Sequence, residues 1–230
     1  MLLKGRLKLI ADMVPECAML CDVGTDHAYI PIYVVQNKKC RKAVASDVKE
    51  GPVLSARKNV DAYGLTESIE VRMGNGLEPL KENEADVIVI AGMGGILIRE
   101  ILTRDIEKVR KANSIILQPM NAIEVVREWL YENGFYIYDE GLAKEGYKIY
   151  NVIAAKWKGL AEKTDEIYYH IGKRLIEKKD PLLVKYLNNR IGQIEKTINE
   201  MDNMKDKDSI VKKELTGLKT GFENILDSLR

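Results

Sequence analysis

The sequence predicts an α/β protein: a Rossmann-like, mostly parallel sheet ending in an antiparallel hairpin, followed by an all-helical segment. Three observations carry this fold class. Up to about residue 133, short apolar runs that end in an acid or a glycine alternate with helical stretches, the pattern of right-handed strand-helix-strand crossovers. Two strand-like runs, 134–139 and 147–155, then follow with a Gly-and-charge loop between them that has no room for a helix. From about residue 160 onward the composition turns charged and helical, with no strand-like run.

Residues 2–14 place Leu3, Leu7, Ile10 and Met13 on one face, which predicts an amphipathic helix against the sheet or over a ligand cleft. The stretch Ala18-Met-Leu-Cys-Asp-Val-Gly-Thr-Asp-His-Ala-Tyr-Ile-Pro31 reads as a buried strand, a tight turn at Gly24 and the first turn of a helix. Such a turn leaves backbone N–H groups pointing at whatever lies above it, and a glycine has no Cβ to keep a ligand away. Of the glycines of a dinucleotide loop only Gly24 is present, with Asp26 and Ala28 where others would stand, so context must carry the signal. That context lies about 20 residues on, where a second parallel strand presents an acid to a ribose. There Arg41-Lys-Ala-Val-Ala-Ser-Asp47 ends in Asp47, ahead of a helical stretch over 50–63. Asp22 and Asp47 thus end neighbouring strands, where ligands lie in an open α/β sheet. The competing reading of Asp47 is an acid favoured by a helix N-terminus.

A short strand at 69–72 leads into Gly74-Asn-Gly76, a turn whose residues tolerate positive φ. Asp86-Val-Ile-Val-Ile-Ala91 is a β-branched run of the kind found in a central strand covered on both faces, and it ends in Gly92-Met-Gly-Gly95. Helices over 96–103 and 106–111, a buried strand at Ser114-Ile-Ile-Leu-Gln-Pro119 and a helix over 122–133 complete the alternation. The division is then 1–159 for the α/β domain and 160–230 for the helical one. In the latter, Leu187, Ile191, Ile194, Ile198 and Met201, and again Leu215, Leu218, Phe222, Ile225 and Leu229, step by threes and fours, so each half carries a coiled-coil seam. The polar break at 203–209 predicts two helices folded back on each other in a monomer, with Asp208 or Ser209 capping the second. An intermolecular coiled coil is the competing arrangement.

The chain has 230 residues, 46% of them apolar, enough for a full core. No apolar run approaches the ~20 residues of a membrane span and the N-terminus has no signal-peptide core, which predicts a cytoplasmic protein. Cys17, Cys21 and Cys40 have neither Cys-x-x-Cys spacing nor neighbouring histidines, so they read as spectator thiols, with no metal site and no disulfide. A net charge of +1 argues against a strongly basic nucleic-acid binder, although local basic groups stand at Lys38, Lys39, Arg41 and Lys42, at Arg104, Lys108, Arg110 and Lys111, and at Lys173, Arg174, Lys178, Lys179, Lys185 and Arg190. In the last group interleaved acids make a solvated helix face the competing reading.

Several blocks together resemble one family over essentially the whole chain: Arg6-Leu, Asp22-Val-Gly-Thr-Asp-His-Ala-Tyr-Ile-Pro31, Ala45-Ser-Asp47, Gly74-Asn-Gly76-Leu77, Ala91-Gly-Met-Gly-Gly95 and Leu117-Gln-Pro-Met-Asn121. They are similar to the bacterial tRNA (adenine-22 N1)-methyltransferases, class I methyltransferases with a C-terminal coiled-coil domain. The resemblance implies S-adenosylmethionine as cofactor and N1 of an adenosine in the tRNA D-arm as target. It also implies Asp22, Gly24, Thr25 and His27 around the methionine part of the cofactor, Asp47 and Val48 at the ribose, Asn75 and Gly76 at the adenine, and Gly92 and Met93 near the methyl group. Gly94 and Gly95 either serve the substrate or let the next helix pack closely.

Adenine N1 carries a lone pair at neutral pH, so positioning and desolvation are expected to supply most of the rate. An acceptor for the N6 amino group, or a charge offsetting that of the product, is then what the protein can add, with Asp26, Tyr29, Gln118 and Asn121 as candidates. The basic groups named above are expected to carry phosphate contacts if they flank the cleft. His170 reads as a surface or packing histidine. Two other functions share these features: a small-molecule methyltransferase, and a non-catalytic RNA-binding protein on the same fold.

Overall fold

The computed structural model describes residues 1–203 and 209–229, with the side chains of 203 and 209 outside the description. In chain order the elements are α1 (Gly5–Met13), β1 (Cys17–Val23), α2 (Tyr29–Gln36), β2 (Cys40–Asp47), α3 (Glu50–Ala62), β3 (Ile69–Met73), β4 (Val87–Met93), α4 (Gly95–Arg104), α5 (Ile106–Lys111), β5 (Ser114–Pro119), α6 (Ile123–Glu132), β6 (Phe135–Glu145), β7 (Lys148–Trp157), α7 (Ile167–His170), α8 (Lys173–Glu177), α9 (Leu183–Asn203) and α10 (Ser209–Ser228). Among the described residues the strands form one seven-stranded sheet in the order β3-β2-β1-β4-β5-β7-β6. β1 to β5 are parallel, and the β6–β7 hairpin joins β5 antiparallel.

Position in that order follows from composition. The apolar runs of β4 and β5 are buried on both faces at the sheet centre, as continuous β-branched runs require. One core cluster joins β4 and β5 to α4 and α6, and a second packs α1, α2 and α3 on the opposite face. Strand order reverses between β1 and β4, so their carboxyl ends open a crevice.

Three expectations are corrected. No helix follows Gly24 directly: a loop over 24–28 intervenes, with Ala28 at φ 54°, and α2 starts at Tyr29. The N–H groups of Gly24 and Thr25 both donate to the Ser46 carbonyl at 2.8 Å, so neither points freely at a ligand. Cys17 and Cys40 are joined as a disulfide, because the parallel register sets them opposite each other; Cys21 alone remains a buried free thiol. The third concerns direction: Lys38, Lys39, Arg41 and Lys42 precede or open β2 and so lie at the amino end of the sheet, away from the crevice.

The helical segment has its own core, in which Leu187, Ile194 and Phe222 meet Leu175 and Leu183. α9 and α10 run antiparallel: Lys219 pairs with Glu195 at 2.8 Å, and Lys212 pairs with Asp202. The cap expected of Asp208 or the Ser209 side chain lies outside the described residues. This segment is bound to the sheet through a buried polar cluster. Arg127 of α6, fully buried, donates from Nε to Glu140 at 2.8 Å, from Nη2 to Asn151 at 2.9 Å and from Nη1 to the Tyr169 carbonyl at 3.0 Å. Glu140 is 1% exposed and also accepts from the backbone N–H of Arg174, while Asp180 accepts from that of Leu142. A buried guanidinium with this many acceptors offsets its desolvation only while the set is complete.

Candidate functional site

At the carboxyl end of β1, Asp22 is buried beside the start of the 24–28 loop. Burial pushes its carboxyl up to about 7, helped by the nearby Asp47 charge and opposed by a hydrogen bond with Thr25. Gly24 adopts φ +74°, a conformation that strains any residue with a Cβ, and a Cβ there would also have to displace the Met93 methyl that covers the turn. One strand over, Asp47 accepts from the Lys49 N–H at 2.8 Å. Its neighbours Val48 and Met73 are large apolar side chains left 59% and 62% exposed, with Met73 in register opposite Asp47. A carboxylate between two uncovered apolar groups suits a ribose carrying a flat aromatic base, and a buried acid of raised affinity for protons suits an ammonium partner. The residues present therefore fit a nucleoside-type cofactor. The loop after β3 brings Asn75 and Gly76 to the same end, where Arg104 Nη2 donates to the Asn75 carbonyl and Lys108 Nζ to that of Leu77, both at 2.8 Å. Arg104 and Lys108 thus brace this loop.

The second cluster forms at the ends of β4 and β5. Register slips between Ala91 and Met93, and Gly92 takes φ +78° at the bulge. Gln118 is fully buried; its Oε1 accepts from Arg6 Nη1 at 2.9 Å and from the Gly92 N–H at 3.2 Å, and its Nε2 donates to the Pro119 carbonyl at 2.9 Å. A guanidinium has only donors, so Arg6 settles which way the amide points. Arg6 itself sits against Glu145 and over the Tyr150 ring. Asn121 Oδ1 accepts from the Gly95 N–H at 3.3 Å, at the start of α4. A Cβ on Gly95 would lie 2.2 Å from the Ala122 carbonyl oxygen, which makes close packing of α4 the requirement at that glycine.

Asp26, His27 and Tyr29 form a third group on the rim. His27 stacks on Tyr29 at 5.0 Å between ring centroids, its Nε2 lies 3.4 Å from Asp26 Oδ2, and Asp26 is 72% exposed at its side chain. The structure therefore gathers the expected cofactor and catalytic residues at one end of β1, β2, β4 and β5. Of the basic ones it brings only Arg104 and Lys108 to this end, where both are held by the loop after β3. Lys39 donates to the carbonyls of Ala11 and Asp12, Arg174 to Tyr136 and the Ile137 carbonyl, and Lys178 to Asp139, while Lys173 lies over the Tyr168 ring near Glu162. Lys179 is exposed at the end of α8, at φ 50°. The expected track of Lys38–Lys42 and Lys173–Lys179 along the carboxyl ends is not formed.

Met73 and Glu145 escape a reading by motif, and Arg6 belongs to one of the family blocks without a role attached to it. The signal for Arg6 is that block alone, since its partner Gln118 is 112 residues away. Among the described residues no group of acids, cysteines and histidines is placed to hold a metal, and no helix is long and apolar enough to cross a membrane.

Comparison with known proteins agrees with this geometry. A family model described as a methyltransferase domain matches residues 3–153. A Bacillus subtilis (strain 168) protein named tRNA (adenine(22)-N(1))-methyltransferase is 43% identical over 154 residues, a stretch covering 67% of this chain and 65% of that protein's length. The structure of a putative tRNA (m1A22) methyltransferase from Streptococcus pneumoniae superposes with a TM-score of 0.89 at 34% identity, covering 98% of this chain and 100% of that one. The same protein in complex with S-adenosyl-L-methionine gives 0.85 at 34% identity, over 96% and 98%.

Proposed function

The chain belongs to the bacterial tRNA (m1A22) methyltransferase family, and from that premise we propose that it methylates N1 of adenosine 22 in the tRNA D-arm, using S-adenosylmethionine and giving 1-methyladenosine. The observation that carries the reading is the acid pair Asp22 and Asp47 at the ends of adjacent parallel strands, with exposed Val48 and Met73 flanking Asp47. The cofactor supplies an electrophilic methyl group on a sulfonium. In this reading Asp22 faces the ammonium end, Asp47 takes the ribose hydroxyls, Val48 and Met73 cover the base beside Asn75 and Gly76, and Gly24, Thr25, His27, Gly92 and Met93 line the remainder.

No base is needed to free the N1 lone pair, so the residues at β4 and β5 orient the substrate and exclude water. Gln118 is saturated by Arg6, Gly92, Pro119 and the Met120 sulfur and is a positioning residue for the Gly92 bulge. Asp26 and Tyr29, on the rim, are the groups proposed to accept from the N6 amino group, with Asn121 across the cleft. N1 lies on the Watson–Crick edge, so the adenosine must leave its pair to be reached. A tRNA substrate also suits a cytoplasmic location, and the intramolecular α9–α10 pair suits a monomer.

Methylation assays on transcripts carrying adenosine or guanosine at position 22, with calorimetric titration of S-adenosylmethionine, test the reading. We expect transfer to the adenosine transcript alone. Asp47→Ala should weaken cofactor binding by about 1.5–3 kcal/mol through loss of a charge-assisted hydrogen bond. Equal transfer to both transcripts, or unchanged cofactor affinity in folded Asp47→Ala, contradicts it.

A further inference from the structure

Between α7, α9 and the carboxyl ends of β5 and the hairpin lies a cavity of about 450 Å³, which none of the roles assigned above uses except at its mouth. Five buried side-chain polar atoms among the described residues have no hydrogen-bond partner, and three of them belong to residues lining this one cavity: Asn151 Nδ2, His170 Nδ1 and Arg190 Nε. Asn151 is 1% exposed. Its Oδ1 is committed to Arg127 Nη2 at 2.9 Å, and because the guanidinium offers only donors, the amide nitrogen must be the free end. Burial lowers the proton affinity of His170, so its ring is neutral at neutral pH and offers one donor and one acceptor. Unpaired buried polar atoms are costly to keep, and with Asn151 Nδ2 and Arg190 Nε both donors and His170 Nδ1 able to serve either way, their concentration in one cavity is a sign of a polar ligand that brings acceptors.

The rest of the lining narrows the class. Tyr150 and Tyr186 supply aromatic surface, Glu124 supplies an acceptor and Lys148 a second cation. A bare phosphate would be repelled by Glu124 and has no use for the tyrosines, whereas a nucleotide presents a flat base with both donors and acceptors and an anionic linkage. Position adds a further constraint. Pro119, Met120 and Asn121 line the cavity, and Asn121 is the residue that holds the start of α4 beside the Gly92 bulge, so the cavity opens where the candidate cleft ends.

We infer that this cavity takes a second nucleotide of the tRNA, one next to the methylated adenosine, its base held by Asn151 and His170 and its phosphate by Arg190. The inference rests on the function proposed above. It gives the helical segment a direct part in recognition: α7 and α9 form one wall of a nucleotide subsite and the hairpin the other. His170, which sequence reading leaves as a packing residue, becomes a base-contacting one.

The test uses the full chain, S-adenosylmethionine and tRNA transcripts with adenosine 22, intact or with an abasic residue on either side of the target. Gln193→Trp fills the cavity from an exposed position on α9, and Arg190→Gln removes the cation. Each should raise the KM for tRNA about tenfold with cofactor affinity unchanged. One of the two abasic transcripts should lose about tenfold in kcat/KM with the parent protein and lose nothing further with Gln193→Trp, since the same contact has then been removed twice. An unchanged KM in both variants, or abasic losses that simply add to that of Gln193→Trp, overturns the subsite. A parent protein that binds S-adenosylmethionine but leaves every transcript unmethylated overturns the function itself, and this inference with it.

Discussion

Replacing Asp22 with Asn should make the unliganded protein more stable and the cofactor bind less well. The folded protein holds the Asp22 proton up to about pH 7, against an ordinary value of 3.8, mainly because the carboxyl is buried. Between those values the folded state binds more protons than the unfolded chain, so stability falls as pH rises, and the full cost is present above about pH 7. The gap corresponds to on the order of 4 kcal/mol. Asn matches the neutral acid in shape and carries no charge to desolvate. Denaturant unfolding should therefore show Asp22→Asn gaining several kcal/mol over the parent at about pH 8.5, about half as much or less near pH 5, and little near pH 3. Cofactor titration should show the reverse: parent affinity rises through pH 7 as the carboxylate ionises to meet an ammonium, and the variant is weak and flat across the same range. A stability difference that is independent of pH would refute the assignment of this cost to Asp22. Undiminished cofactor affinity in the variant would remove Asp22 from the ammonium site.

Two further outcomes follow from the packing. Arg127→Met leaves Glu140 buried without its guanidinium, and should cost about 3–5 kcal/mol of unfolding free energy, with partial recovery in Arg127→Met/Glu140→Gln; a loss under about 1 kcal/mol would mean that the cluster does not hold the helical segment to the sheet. Gly95→Ala drives a Cβ to 2.2 Å from the Ala122 carbonyl oxygen and should cost about 3 kcal/mol, whereas at Gly94→Ala the nearest atom is the Asn121 side-chain oxygen at 3.1 Å and thermal unfolding should barely move; similar melting temperatures for the two variants would contradict this ranking.

The elements and their kinds are legible along the chain, because they are written in local periodicity and turn chemistry. The uninterrupted run of β4 marks a central strand, Asp22 and Asp47 close two successive strand-helix units, and the short link between β6 and β7 excludes a crossover. The apolar spacing along α9 and α10 likewise marks two helices that share a seam. Where polar groups find their partners is settled by the folded arrangement instead. The Ser46 carbonyl, from the neighbouring strand, claims the N–H groups of Gly24 and Thr25, and the register of β1 against β2 brings Cys17 to Cys40. Strand direction sends Lys38 to Lys42 to the end away from the crevice, which no charge count along the chain reveals. Arg6 meets Gln118 and Glu145 across 112 and 139 residues, and Arg127 gathers Glu140, Asn151 and Tyr169 from three other elements. Periodicity constrains which face of an element is buried. It carries no information about which distant element arrives there, and a buried donor or acceptor is satisfied by that arrival alone.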